Sequence, residues 1–373
     1  MKRRRIMIAI GTILGIIIVA AIAGAIFVNQ PSFGRLPQGE RLQRIRQSPN
    51  YHDGQFHNQQ PSPMMTSNHS RWEAMLRFLT EKPKETVPSQ PIEAVKTDLK
   101  SLPKDSNLIV WFGHSSYMLQ LSGQRILVDP VFYKASPVAF VNKPFPGTDI
   151  YKPSDLPDGI DYLVISHDHW DHLDYDTAKE LRRRVGKVIC PLGVGEHFEY
   201  WGYDKSQLIE LDWNESDTTK LGFRIHCLPA RHFSGRGLKP NQSLWASFLV
   251  ETPSLTVFIG GDSGYGTHFK EIGTRFPGID LAILENGQYN DDWKYIHTMP
   301  QYLGKAAKDL KAKQVITVHH SKYALARHPW NEPLVNELKA AKQYDFNLTV
   351  LQIGIPKLLP QTAQNATTAS LQQ

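Results

Sequence analysis

The chain has 373 residues, with 42 Lys or Arg against 36 Asp or Glu and 41% hydrophobic residues, proportions ordinary for a folded protein and sufficient for a sizeable core. Its net charge of +6 would suit a nucleic-acid partner if it were spread over the fold, but residues 1–46 hold eight Lys or Arg and a single acid, Glu40, so the remainder is close to neutral. No basic surface interleaved with aromatics is evident in that remainder; no nucleic-acid partner is expected, and the charge reads as membrane topology and headgroup attraction.

Lys2, Arg3, Arg4 and Arg5 precede an uncharged run over 6–28 whose only polar side chain is Thr12. That run is long enough to cross a bilayer as one helix. Ala23-Gly24-Ala25 has the small-x-small form of a cleavage site, so a removed secretory signal is the alternative. An apolar stretch longer than the roughly 7–15 residues of a cleaved signal favours a retained anchor. The basic tetrad at 2–5 argues for a cytoplasmic N-terminus, a single pass and a domain outside the cytoplasm, opposed in part by Arg35, Arg41, Arg44 and Arg46 on the far side.

Residues 29–90 turn polar, with Pro31, Pro37, Pro49, Pro61 and Pro63, and read as a linker or a loop-rich extension. Within them Trp72, Met75, Leu76 and Leu79 share one helical face, which predicts a helix over 71–79 capping the domain. The domain itself is expected over 91–360, followed by a polar tail at 361–373. From Leu108 onward short apolar strands dominate, first at 108–112, 117–121 and 125–129 and then mixed with helical stretches at 176–184, 301–310 and 332–342. Consecutive strands with later helices suit two sheets packed face to face with helices outside. Cys190 and Cys227 sit in apolar strand-like contexts and are expected as buried free thiols. Gly193-Val194-Gly195 lacks the spacing and the Lys of a phosphate loop.

Directly after the apolar run 162–165 comes Ser166-His167-Asp168-His169-Trp170-Asp171-His172. Histidine is only intermediate in burial and aspartate is seldom buried unpaired, so such a density at a strand end calls for a cation. His167 and His169, two apart, project to one side of an extended segment, and Asp171 and His172 follow where the chain turns, an arrangement able to serve two neighbouring metals. A zinc site needs about three or four protein ligands, so further groups must come from downstream. His232, Asp262 and His319 each follow a strand-like run, where a ligand is held on a rigid support. His319 and His320 compete for one role, since adjacent strand residues face opposite ways.

His-x-His-x-Asp-His, then a His, then an Asp after Gly-Gly, then a His after a last apolar strand resembles the metallo-β-lactamase superfamily of dinuclear zinc hydrolases, over about residues 107–356. Val110-Trp111-Phe112-Gly113-His114-Ser115, Leu127-Val128-Asp129-Pro130, Ile209-Glu210-Leu211-Asp212-Trp213 and Val318-His319-His320-Ser321-Lys322-Tyr323-Ala324-Leu325-Ala326 are similar to the branch containing N-acylphosphatidylethanolamine-hydrolysing phospholipase D. The resemblance implies an α/β fold of the αββα sandwich type behind an N-terminal transmembrane helix. It implies one zinc on His167, His169 and His232, a second on Asp171, His172 and His319, and Asp262 between them. It favours His319 over His320, and it aligns His297 with a position lining the substrate pocket.

Asp171 and His297 are accordingly the expected catalytic residues, with a plain surface histidine as the alternative for His297. Asp129 is expected to hydrogen-bond a ligand histidine from outside, or to be an ordinary Asp-Pro turn. His114 would line the floor of the site or be a satisfied core histidine, and Tyr289 is expected beside the substrate. The implied function is a membrane-attached dinuclear zinc phosphodiesterase acting on phospholipid-like substrates. A lactone or other carboxylic-ester hydrolase on the same metals, and a non-catalytic envelope binding protein, are the alternatives; a β-lactam substrate is not expected.

Overall fold

A computed structural model of the chain describes residues 2–66, 72–73, 76, 80, 85–138, 140–219 and 222–360. The helix expected over 71–79 falls largely outside them, as does the tail at 361–373. Helix α1 (Lys2–Val28) has no buried residue, is exposed up to Ile26, and has a mean hydropathy of 2.9 in its most apolar window. At 1.5 Å per residue its 27 residues extend about 40 Å, enough to cross a hydrocarbon core of about 30 Å. It is the one candidate membrane span among the described residues.

Residues 29–66 wrap the domain rather than trail from it. They carry helix α2 (Gly39–Gln47) and the hairpin of β1 (Tyr51–His52) and β2 (Gln55–Phe56). Arg41, only 12% exposed, meets Glu196 at 2.5 Å, Glu210 at 2.6 Å and Glu199 at 3.1 Å. Arg35 meets Glu196 at 2.6 Å and Arg44 meets Glu215 at 2.7 Å. Lipid headgroups are therefore not needed to account for these three arginines; carboxylates more than 150 residues away in sequence provide their counter-charge.

Two seven-stranded sheets follow. The first is built from β3 (Leu108–Trp111), β4 (Tyr117–Leu121), β5 (Gln124–Val128), β6 (Ile160–Val164), β7 (Val185–Pro191) and β8 (Leu208–Leu211). The second uses β9 (Ser216–Thr218), β10 (Arg224–Leu228), β11 (Ser247–Glu251), β12 (Thr256–Ile259), β13 (Leu281–Glu285), β14 (Gln314–Val318) and β15 (Leu348–Thr349), and β16 (Lys357–Leu358) returns to the edge of the first beside β3. The hairpin joining β4 to β5 turns on Ser122 at φ 45° and Gly123 at φ 79°, the doubly left-handed backbone of a tight two-residue turn, which fixes Leu121 opposite Gln124.

Strand alternation divides the apolar side chains between layers. Ile109, Trp111, Ile126 and Val164 pack with Phe248, Ile259 and Ile316 between the sheets. Val110, Leu127 and Leu163 face outward onto α3 (Tyr175–Leu181) and α4 (Gly195–Tyr200), which contribute Leu181 and Phe198. On the other side Leu249, Phe258 and Val315 meet α5 (His268–Arg275), α6 (Pro300–Leu310) and α7 (Glu332–Tyr344) through Phe269, Leu303 and Ala340. The order is helix, sheet, sheet, helix. Cys190 lies in an outer layer and Cys227 between the sheets, both buried and free.

Candidate metal centre

The segment after β6 is pinned before it turns: Ser166 N–H donates to Asp129 Oδ1 at 2.8 Å. It then closes on itself through His172 N–H and Leu173 N–H, which donate to His169 O at 3.1 and 2.8 Å. This local turn presents four polar side chains beyond the C-terminal end of β6, an interior strand. His167 Nε2 lies 2.8 Å from His169 Nδ1, which lies 3.2 Å from His232 Nε2. Those spacings approach the roughly 3.3 Å left between nitrogens bound at 2.0–2.1 Å around one tetrahedral ion. His114, Asp171, His172 and His319 form a second group, with His172 Nε2 at 3.7 Å from Asp171 Oδ2.

Asp262 stands between the groups. Its Oδ2 lies 3.2 Å from His172 Nε2, 3.7 Å from His232 Nε2 and 4.0 Å from His167 Nε2, and its Oδ1 lies 3.2 Å from His319 Nδ1. The Gly-Gly pair before it is a steric requirement: at Gly261, φ 59°, a Cβ would stand 2.8 Å from the Ser166 Cβ and hold the two ligand loops apart. Four buried atoms here, His114 Nδ1, His172 Nε2, Asp262 Oδ1 and His319 Nε2, have no hydrogen-bond partner. Buried polar atoms are ordinarily satisfied, and orphans converging from separate strands, with a carboxylate only 3% exposed, are what bound cations would satisfy. The donor set of imidazoles and carboxylates fits zinc or iron.

Burial, reinforced by neighbouring imidazoles, holds His167 well below the usual histidine range. Burial likewise outweighs the pull of Asp262 at His232 and His319. Burial thus favours the neutral form of these rings, the form that keeps a lone pair for a metal. At His172 burial is overcome by Asp262, Asp171 and Asp129, and the ring is pushed well above that range. Asp171, despite burial, is held below the ordinary carboxylate range by His172 and His114.

Several of these side chains are oriented from behind, as imidazoles binding a metal would require. Asp129 Oδ2 accepts from His172 Nδ1 at 2.8 Å and from Ser166 Oγ at 2.6 Å. His232 Nδ1 donates to Ile296 O at 2.6 Å, and Ser115 Oγ lies 2.7 Å from His319 Nδ1. His114 is fully buried and its Nε2 contacts Asp171 Oδ2 at 3.0 Å. His114, Asp129 and His319 all have positive φ, at 52°, 41° and 71°, a backbone cost of roughly 1–2 kcal/mol each concentrated at one site.

His297 borders a cavity of about 810 Å³ that reaches His169, Asp171, Asp262 and His319. Its Nδ1 lies 2.7 Å from Glu285 Oε2, and Glu285 Oε1 accepts from Ser263 N–H at 2.9 Å and Thr298 N–H at 2.7 Å. Burial opposes the charged ring, but Glu285 and Asp262 raise His297 to about 9. Glu285 was not singled out by sequence; its only signal is an acid at the end of an apolar strand, the pattern shared by Asp129 and Asp262.

Tyr289 is not brought to this group. Its hydroxyl donates to Glu332 Oε1 at 2.7 Å and its ring stacks on His328, whereas the preceding Gln288, at φ 58° in the loop after β13, borders the cavity. His320 is buried away from the centre, with Nε2 at 3.2 Å from Thr317 Oγ1 and its ring beside Trp111. Trp170 likewise turns outward, onto Phe33 and under the Arg236 guanidinium. A third histidine group, His52, Asp53 and His57, differs in geometry: the two imidazoles stack 3.7 Å apart at 6°, so their lone pairs run parallel instead of meeting.

Residues 124–320 match the Beta-lactamase superfamily domain. The uncharacterized protein Rv0906 of Mycobacterium tuberculosis is 37% identical over 314 residues, 82% of each chain. N-acyl-phosphatidylethanolamine-hydrolyzing phospholipase D 1 of Caenorhabditis elegans is 33% identical over 232 residues, 58% of this chain and 64% of that one. Among solved structures, Igni18, a metallo hydrolase of Ignicoccus hospitalis, superposes with a TM-score of 0.53 at 19% identity, over 68% of this chain and 99% of its own, which shows the shared fold. With the sandwich and the converging histidines, these similarities make the chain a hydrolase of the metallo-β-lactamase superfamily, on the branch of the N-acyl-phosphatidylethanolamine-hydrolysing phospholipases D.

Proposed function

We propose that the chain is a dinuclear zinc phosphodiesterase, held to a membrane by α1 and acting on phospholipid-like substrates of the N-acyl-ethanolamine type. The observation that carries the reading is the convergence of His167, His169 and His232 on one side of Asp262, and of Asp171, His172 and His319 on the other. When bound, two zinc ions supply Lewis acidity at a phosphoryl oxygen and a water-derived nucleophile at neutral pH.

The chain's own residues do the rest. Asp129 and Ser115 fix the ring orientations of His172 and His319, so that neither has to reorganise during turnover. Glu285 fixes His297 through Nδ1, which leaves Nε2 as that ring's remaining polar atom at a residue bordering the cavity. From there His297 is placed to hydrogen-bond a phosphoryl or leaving-group oxygen. Similarity to the phospholipases D and an exposed apolar α1 support the lipid substrate and the membrane. The tetrad at 2–5 supports a cytoplasmic N-terminus, and three of the four arginines that opposed it, Arg35, Arg41 and Arg44, have carboxylate partners.

Full-length chain offered N-acylphosphatidylethanolamine, a cyclic nucleotide, a lactone and a β-lactam should turn over the phospholipid with the highest kcat/KM. A lactone preference overturns the phosphodiesterase reading in favour of ester hydrolysis on the same metals. A phosphatase fused after Gln373 should be active outside the cytoplasm; an inactive phosphatase together with a fluorescent fusion at the same position reverses the orientation.

A further inference from the structure

Residues 58–66 come from the polar stretch between α1 and the domain, yet both ends of this short segment are fastened beside the metal centre. At one end Asn58 grips the backbone of His232 in both directions, Nδ2 donating to His232 O at 2.7 Å and Oδ1 accepting from His232 N–H at 3.1 Å. Asn58 Oδ1 also accepts from Trp245 Nε1 at 3.1 Å. In the middle Arg231 donates to Pro61 O and Ser62 Oγ, each at 2.8 Å. At the far end Thr66 N–H donates to Asp292 O at 2.7 Å and Thr66 Oγ1 donates to Asp291 O at 2.5 Å.

Between the fastenings lie Pro63, Met64 and Met65, which border the same 810 Å³ cavity as His169, Asp171 and His297. The cavity lining is therefore of two chemical kinds: imidazoles and carboxylates, and the apolar side chains of Met64, Met65, Phe233, Trp293 and Leu325, with the Phe233 ring edge-on to His169 at 4.3 Å. Met64 is 37% exposed although apolar, and residues 63–65 offer no side-chain donor or acceptor for a polar headgroup. Methionine is flexible and polarisable, suited to packing against an alkyl group of varying shape. This wall comes from outside the segment that matches the superfamily domain, which starts at residue 124.

We propose that residues 63–65, clamped by Asn58, Arg231 and Thr66, form the selectivity wall of the active site, with Met64 and Met65 receiving the alkyl portion of the substrate while its scissile ester lies at His297 and Asp262. This rests on the hydrolase reading above, and the test separates the two. Full-length protein in nanodiscs is given p-nitrophenyl alkyl phosphodiesters carrying ethyl, butyl, hexyl or octyl groups, and separately titrated with the matching alkylphosphonates. The wild type should gain about threefold in kcat/KM per methylene until the cavity is filled. Met64→Ser combined with Met65→Ser should flatten that slope, read as the ratio of octyl- to ethyl-diester kcat/KM within each protein, with metal content unchanged; Met65→Ser alone should fall between. Equal slopes in wild type and double variant overturn the wall. If no diester is turned over but phosphonate affinity still rises with length in the wild type and not in the variant, the wall stands and the phosphodiesterase reading falls.

Discussion

The sheet strands β3 to β8 and β10 to β15 repeat one plan, an antiparallel meander of three strands continued by three parallel ones, yet the two halves equip the metal centre differently. The first half delivers His167, His169, Asp171 and His172 from a single loop after β6, closed by its own backbone hydrogen bonds. The second half delivers one group per strand end, His232 after β10, Asp262 after β12 and His319 after β14. These are held by contacts that cross the molecule: the hydrogen bonds of Asn58 to the His232 backbone and of Ser115 to the His319 ring, and the close approach of Ser166 to Gly261 before Asp262. A local turn can hold several ligands at once, whereas isolated strand ends each need a distant partner.

Substitutions that test this contrast should differ in size and kind. The largest effect is expected at Asp262, the single side chain facing both groups: Asp262→Ala should abolish binding of both metals and lower turnover by orders of magnitude, as read by elemental analysis and initial rates. His169→Ala and Asp171→Ala should approach it in rate. A full complement of two metals in Asp262→Ala would remove it from its place between the sites.

Next come the groups behind the ligands. Asp129→Asn, which weakens the hold on His172, should lower metal affinity roughly 10–100-fold, measured by competition with a chelator. Glu285→Gln should leave metal affinity intact and lower kcat/KM roughly 10-fold or more, with kcat carrying most of the loss, because it disturbs His297 and not a ligand. Loss of metal in Glu285→Gln would place that carboxylate among the ligands instead. Asn58→Ala should be milder, about tenfold in metal affinity, since it frees the backbone of His232 and not its ring. An Asn58→Ala chain indistinguishable from wild type would confine cross-molecular support to side chains.

The smallest catalytic effect is expected at His320. His320→Ala should keep both metals and near-normal kcat/KM while destabilising the fold by about 1–3 kcal/mol, because it removes a buried ring packed on Trp111, the Thr317 hydroxyl keeping its bond to Glu337. His319→Ala, one residue earlier, should lose metal. Equal metal loss from both would contradict the outward placement of His320.

The same contrast explains what was legible in the sequence. Six residues holding three histidines and two aspartates exceed what a turn needs, so the first half's contribution is readable locally. His232, Asp262 and His319 are individually unremarkable and become readable through their order and their place at strand ends. Asn58 was not readable, since 174 residues separate it from the His232 backbone it holds, and nothing in a polar stretch marks one Asn from another. Glu285 gave only the weak signal of a strand-end acid, its role depending on a histidine in the following loop. Tyr289 reads as substrate-facing only as an aromatic near the expected site residues in sequence; its direction is set by the loop after β13, which carries its hydroxyl to Glu332. The arginines of the extension were assigned to lipid because Glu196, Glu199 and Glu210 become their neighbours only on folding. Sandwich architecture and strand positions were otherwise fixed by local apolar runs, with β4 (Tyr117–Leu121) falling on the expected residues.

The central claim, that one buried carboxylate joins two metal groups supplied by the two halves, is tested most directly by metal stoichiometry measured with turnover on the same preparations. Wild-type chain purified without chelator should carry about two metal ions per chain and hydrolyse a phosphodiester reporter, with both lost on chelation and restored together. Wild-type chain that hydrolyses the reporter with one metal or none would contradict the account.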